Sequence, residues 1–325
     1  MPCCGGLVTR LELSLGSERM ASPRRSRPFL YLLLLAAVLI AAYSAWPPFR
    51  YAAWALAGRS PVCPFSHAIR WQAEEDELRL RKDRILRASK FVSQDRGLEL
   101  WDTPKGLFWI PKGNRYVLPF NLAEMESHIY GTGPHFVQSG DIVLDCGASD
   151  GDFTREALQA GAKLVVAIEI SPAAQECLRR NLAEPIAAHR AIVYPKGVWD
   201  SDGTLRLNVS DSNFAANSVV LRPEGSHTDV EASLTTVDKI VSELGLPRVD
   251  FIKMDVEGAE VNALAGAQAT ITKFKPRLSI ATEHKPDDEV TIPQAVRRLR
   301  SDYKMTCGPC AGSGTRILPA VLYFD

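Results

Sequence analysis

From Ile142 onward the chain alternates short apolar runs with longer helical stretches, and this alternation restricts the fold more than any other feature. Residues 142–146, 164–169, 191–194, 249–255 and 278–282 read as strands. Residues 153–160, 172–182, 237–244, 261–274 and 292–300 read as helices, and 303–307 and 317–324 as two closing strands. Strands that alternate with helices imply a mostly parallel sheet covered on both faces. The expected fold is α/β: doubly wound, with a mostly parallel seven-stranded sheet. The last two strands are joined by a short glycine-rich loop, too short for a parallel crossover, so they pair antiparallel. Residues 197–199 and 204–209 read as extended pieces around the Asp202-Gly203 turn.

The first strand runs into Asp145-Cys146-Gly147-Ala148-Ser149-Asp150-Gly151 and then into a helix. Glycines in such a turn let the backbone approach a ligand, and the helix start offers free N–H donors. The spacing is D-x-G-x-x-x-G, with an acid where a dinucleotide fingerprint has its first glycine. An acid there suits a cationic amine and sulfonium and repels a pyrophosphate. Glu169 ends the next strand, where a carboxylate can accept ribose hydroxyls. A third cluster, Lys253-Met254-Asp255-Val256-Glu257-Gly258-Ala259-Glu260, straddles the end of the fourth strand. Ligands lie beyond the carboxyl ends of parallel strands, so Asp255 should border the site. Lys253 points the same way as Asp255 along the strand. Glu283-His284-Lys285 follows the fifth strand, which places His284 within reach of these acids.

The runs IVLDCGASDGDFT, VVAIEISPAAQECLRRNL, SLTTVDKI and VDFIKMDVEGAEVNALAGA resemble the FkbM family of methyltransferases in order and spacing. The resemblance spans about half the chain, and D-V-E-G-A-E is its most specific element. It implies a class I methyltransferase fold, S-adenosyl-L-methionine as donor and, commonly, O-methylation of a sugar-type or other hydroxyl. By the same resemblance Asp145, Gly147 and Gly151 hold the methionine end of the cofactor, with Ala148 and Asp150 in the same turn. Glu169 holds the ribose, Asp255 also borders the cofactor, and Asn181 is structural. Ile170-Ser171-Pro172 departs mildly from the family's usual opening after the ribose acid, and Pro172 can still start the helix. Methyl transfer to a hydroxyl needs an acceptor aligned with the methyl group and relieved of its proton. His284 is the favoured base because its ordinary pKa lies near neutrality, and Glu257 and Glu283 are alternatives. Asp255, Glu257 and Glu283 are also placed to gather a hard divalent cation, although such acids equally cap helices.

Residues 29–46, from Phe29 to Trp46, contain no charge and are just long enough to span a bilayer. Tyr31, Tyr43 and Trp46 suit its interfaces. Arg24, Arg25 and Arg27 precede the segment, so the positive-inside rule sends the rest of the chain across the membrane. The inferred cofactor is made in the cytoplasm, and the two readings conflict. Met20 opens MASPRRSRPF as a plausible initiator. The expected organisation is a basic segment (1–28), a transmembrane helix (29–46), a linker, helix and hairpin region (47–117), and a methyltransferase domain (118–325). Within the third region, residues 73–94 read as a solvated charged helix and 98–110 as a hairpin; residues 121–130 form a short helix leading into the core.

Lys plus Arg balances Asp plus Glu, 38 against 38, which gives no reason to expect a nucleic-acid partner. The expected acceptor is a small molecule, a glycan or a lipid-linked hydroxyl compound near the membrane. Seven scattered cysteines point to a mostly reduced protein, with Cys146 and Cys177 as core hydrophobes. Cys307-Gly308-Pro309-Cys310 has the spelling of a redox motif, but no helix follows, and a hairpin loop is expected. A nicotinamide-dependent oxidoreductase and a catalytically silent membrane adaptor remain the competing functions.

Overall fold

The computed structural model describes residues 27–210, 213–221 and 227–325; residues 1–26, with Met20, Arg24 and Arg25, lie outside the described residues. The chain divides into two compact units, residues 1–50 and 51–325. In the first, α1 (Arg27–Ala45) carries no charge after Arg27, and the window Pro28–Ala45 is long and apolar enough to cross a membrane. Length and composition alone establish this; a signal sequence shares both.

Helices α2 (Pro47–Leu56) and α3 (Phe65–Ala88) precede an antiparallel sheet of β1 (Lys90–Asp95), β2 (Leu98–Thr103) and β3 (Gly106–Pro111). The expected hairpin is present, but the charged helix stops at Ala88 and residues 90–95 form a strand instead. Ladder bonds to β2 supply the backbone partners that a longer helix would have used. α4 (Val117–Glu126) leads into the core.

There follow β4 (Ile142–Cys146), α5 (Asp152–Gln159), β5 (Leu164–Ile168), α6 (Pro172–Asn181), α7 (Ala183–Ala187) and β6 (Ala191–Tyr194). A side sheet comprises β7 (Gly197–Val198), β8 (Gly203–Ser210) and β9 (His227–Thr235). The second half holds α8 (Val237–Glu243), β10 (Phe251–Met254), α9 (Glu260–Ala265), α10 (Gln268–Phe274), β11 (Arg277–Ala281) and α11 (Asp288–Leu299). β12 (Met305–Cys307), β13 (Cys310–Ser313), β14 (Arg316–Pro319) and β15 (Val321–Phe324) close the chain.

The main sheet has seven strands in the order β12-β15-β11-β10-β4-β5-β6. β11, β10, β4, β5 and β6 run parallel, and β15 is antiparallel to both its neighbours. β4 is buried along its whole length, as a central strand covered on both faces must be. Its neighbours are β5 on one side and β10 on the other, so the strand order reverses at β4 and opens a crevice beyond the carboxyl ends.

Two expectations change here. Residues 261–274 form two helices, because the chain kinks at Gly266, where a Cβ would lie 2.0 Å from the Trp199 carbonyl oxygen. The closing strands are antiparallel as expected, but the residues between them form the β13–β14 hairpin, and Cys310 is disulfide-bonded to Cys63. The reading of a reduced protein is therefore corrected at this pair. The two cysteines are 247 residues apart, and only the tertiary fold brings α3's leading segment to the C-terminal hairpin. Cys146, Cys177 and Cys307 are free and buried.

Candidate functional site

The glycine turn after β4 is shaped by contact with β10. Gly147 has φ +81°, and a Cβ there would lie 1.8 Å from the Asp255 carbonyl oxygen, so no side chain fits. In the parallel register Lys253 stands beside Asp145. The Lys253 ammonium donates to the Gly147 carbonyl oxygen at 2.7 Å and lies 3.5 Å from Asp145 and 3.9 Å from Asp255. Asp145 is fully buried and accepts from Thr154 Oγ1 at 2.6 Å. Burial raises its pKa even against the attraction of Lys253. Asp255 is balanced the other way: burial pushes its carboxyl up, but Lys253 and His284 outweigh this and hold it below the usual range.

Glu169 follows β5 at the rim of the same turn. Its two carboxylate oxygens accept the amides of Ser149 (2.8 Å) and Ser171 (2.7 Å). These bonds fix the carboxylate, each oxygen keeps lone pairs for a ligand, and burial raises the pKa to about 7. Asp150 is buried, with neither carboxylate oxygen hydrogen-bonded, and burial raises its pKa strongly. Asn181 has the structural part expected of it: its side-chain amide bonds both backbone groups of Trp109 and donates to the Asp150 carbonyl. It thus ties β3 to the glycine turn.

The D-V-E-G-A-E segment wraps the His284 imidazole in carboxylates. Nδ1 lies 2.9 Å from Glu260 Oε1; Nε2 lies 3.4 Å from Asp255 Oδ1 and 3.6 Å from Glu257 Oε1. Glu260 is buried and is itself held by the amides of Val256 and Gly258. Burial alone would lower the His284 pKa, but Glu257, Glu260 and Asp255 push it up to about 12. With a carboxylate at each ring nitrogen, the imidazole is held as a cation. Glu283 is raised to about 6 by burial and by Asp255.

A cavity of about 650 Å³ opens over these groups, within the range of small-molecule sites. Of the residues singled out in the sequence, Gly147, Glu169, Asp255, Glu257, Glu283 and His284 line it. Asp145, Ala148, Asp150 and Gly151 are not among its lining residues; they form the buried support of the turn. Lys253 lines it too, as its direction along the strand implied. Four lining groups escaped the sequence reading. Glu124 from α4 is raised well above its ordinary pKa by burial and by Glu283. Asp152 at the start of α5 is raised to about 6 by burial. Tyr130 donates its hydroxyl to Asp255 Oδ2. Phe214, buried beside the side sheet, is held by the Asn114 side chain. Nothing in local sequence marks them, although the acid Asp152 in a first helical turn is a weak signal.

The methyltransferase FkbM domain family matches residues 145–304. A 2-O-methyltransferase NoeI of Sinorhizobium fredii (strain NBRC 101917 / NGR234) is 28% identical over 149 residues, 41% of this chain and 60% of that protein. The solved structure of methyltransferase FkbM from Methylobacillus flagellatus KT superposes with TM-score 0.44 and 18% identity, covering 78% of this chain and 60% of that one. Aeropyrum pernix fibrillarin, solved with natively bound S-adenosyl-L-methionine, gives TM-score 0.38 at 12% identity over 73% of this chain and 99% of that one. The chain thus spans 60% of the length of the first two relatives. With the glycine turn and the D-V-E-G-A-E acids assembled at one cavity, the chain carries a methyltransferase FkbM domain over residues 145–304.

Proposed function

We propose that this protein is an S-adenosyl-L-methionine-dependent methyltransferase acting on a hydroxyl of a sugar, lipid-linked or small-molecule acceptor. The carrying observation is the charge of the cavity. Glu124, Asp152, Glu169, Asp255, Glu257 and Glu283 line it against Lys82, Lys196, Lys253 and His284, and the last two are already engaged by carboxylates of the site. Such a cavity suits a ligand bearing an ammonium and a sulfonium and disfavours a nicotinamide dinucleotide with its pyrophosphate.

Gly147 lets the backbone approach the ligand, and Glu169 is fixed to receive hydroxyls. The bound cofactor supplies an electrophilic methyl group. Asp255, fixed by Tyr130 and Lys253, and Glu257, beside His284, border the space left for the acceptor. Because His284 is held as a cation, we assign proton removal to Glu283, whose pKa of about 6 lets it accept a proton near neutrality. His284 helps keep Asp255 ionised and offsets part of the burial that raises Glu257. The relative's designation as a 2-O-methyltransferase supports an oxygen acceptor. An anchor at residues 29–46 would keep that acceptor close to a membrane surface.

The test is isothermal titration of S-adenosylmethionine and S-adenosylhomocysteine into the full-length protein in detergent, beside Glu169→Ala. Micromolar binding, about −8 kcal/mol, that weakens strongly in the variant is the expected result. No binding by folded wild-type protein refutes the reading.

A further inference from the structure

One wall of the cavity comes from α4. Tyr116, Phe120 and Glu124 all line the cavity and stand four residues apart, so they share one face of the helix. Tyr116, the N-cap, is 63% exposed and Phe120, a turn deeper, 43%. Glu124 lies a further turn in, where burial and the charges of Glu283 and Asp255 raise its pKa. The face therefore runs from the open mouth to the reacting groups, over about 12 Å at the helical rise, a length greater than one sugar ring. The Arg115 guanidinium lies 4.7 Å from the Tyr116 ring centroid and 5.9 Å from that of Trp101. It covers one face of the Tyr116 ring and steadies it, which leaves the exposed remainder for stacking.

A second part of the lining, residues 213–217, is fixed on both sides. The Phe214 amide donates at 3.0 Å to Oδ1 of Asn114, a buried residue just before α4. The Ser218 hydroxyl donates to the Glu257 carbonyl oxygen at 2.6 Å. This part is thus tied both to α4 and to the D-V-E-G-A-E acids. Asn213 and Asn217 accept the amides of Ala215 (3.2 Å) and Ser210 (2.9 Å) through Oδ1. Their NH2 groups, and the side-chain amide of Asn121, make no hydrogen bond among the described residues, and all three residues line the cavity.

These groups select among acceptors. Carboxylates outnumber cations in the lining, which disfavours an acceptor carrying phosphates. An acyl chain would bury the free carboxamides without partners. A neutral sugar offers both complements: hydroxyls for the amides and carboxyls, and a C–H face for an aromatic ring. We propose that the first turns of α4 and residues 213–217 form the acceptor subsite for an oligosaccharide. Its reacting ring lies beside Glu124 and Glu283, and its next ring stacks on Phe120 and Tyr116. The proposal rests on the methyltransferase reading above; it adds that the acceptor has at least two sugar rings and that Tyr116 and Phe120 select it.

The probes are maltotetraose, mannotetraose and chitotetraose, added to full-length protein in detergent saturated with S-adenosylhomocysteine. Saturation-transfer NMR should show at least one of them bound, with signals from two neighbouring rings. That tetrasaccharide should bind about tenfold or more tightly than its monosaccharide. Tyr116→Ala and Phe120→Ala should each weaken it roughly five- to tenfold, and Tyr116→Phe should keep most of the affinity. All three variants should keep the wild-type circular dichroism and affinity for S-adenosylhomocysteine. Wild type that binds S-adenosylhomocysteine but none of the tetrasaccharides overturns the subsite and leaves the methyltransferase reading standing; wild type that does not bind S-adenosylhomocysteine overturns both. Unchanged tetrasaccharide affinity in both alanine variants, or a monosaccharide bound as tightly, also overturns the subsite. Transfer to dihexanoyl phosphatidylglycerol, and to none of the glycans, assigns the mouth to a lipid and overturns it as well.

Discussion

The Lys253 ammonium donates to the Gly147 carbonyl oxygen across 2.7 Å and stands 3.5 Å from the buried Asp145. Because β10 and β4 are parallel and in register at Lys253 and Asp145, one cation both neutralises the strand end and shapes the glycine turn. Lys253→Met removes the charge and keeps the apolar bulk. It leaves Asp145 buried beside Asp255 with no counter-charge, at a cost of about 3–5 kcal/mol. Guanidinium denaturation of the full-length protein measures this, and a loss below about 1 kcal/mol would show that Lys253 is not the counter-ion.

Gly147→Ala places a Cβ where the Asp255 carbonyl oxygen already is, 1.8 Å away, at a φ that disfavours alanine. The turn must move away from β10. Adenosylmethionine affinity should fall roughly 100-fold or more, about 2.7 kcal/mol, with the remaining fold retained by circular dichroism. Wild-type affinity in this variant would remove the turn from the binding site.

Glu169 has a folded pKa of about 7, raised by burial above its ordinary value of 4.5. The native state therefore holds this proton longer than the unfolded chain. Its contribution to stability falls as pH rises from about 4.5 to about 7, by on the order of 3 kcal/mol at most. A cationic ligand favours the ionised form, so binding near pH 7 should release protons. Titration in two buffers of different ionisation enthalpy reads that release, and Glu169→Gln should abolish most of it.

For His284 the direction is opposite in origin but similar in slope. A folded pKa of about 12 against the ordinary value of 6.5 means that its stabilisation is complete below about pH 6.5 and is lost as pH rises towards 12. Melting temperature should decline between pH 7 and 10 in wild type, and His284→Asn should flatten that decline. The same variant should be less stable at pH 7, because Asp255, Glu257 and Glu260 then lose the cation between them. An equal slope in both proteins would return His284 to the neutral ring expected of a general base.

The strand–turn–helix at Asp145–Gly151, the ribose acid Glu169 and the D-V-E-G-A-E acids were legible because each signal is local. Apolar runs set the strands, glycine spacing sets the turn, and acids at strand ends follow from parallel-sheet geometry. The same locality explains the misreadings. Residues 90–95 became a strand only because β2 was there to pair with them, and the helix at 261–274 broke only because Trp199 crosses Gly266. Tertiary structure alone brought Glu124 and Tyr130 over Asp255 and set carboxylates against both nitrogens of His284, which changed its expected charge. It also decided that Cys63 meets Cys310 across 247 residues of chain, with Cys307 beside them. Backbone preferences and hydrophobic periodicity act over a few residues and can be read in order. Charge states and long-range partners depend on which elements end up side by side, and packing determines that.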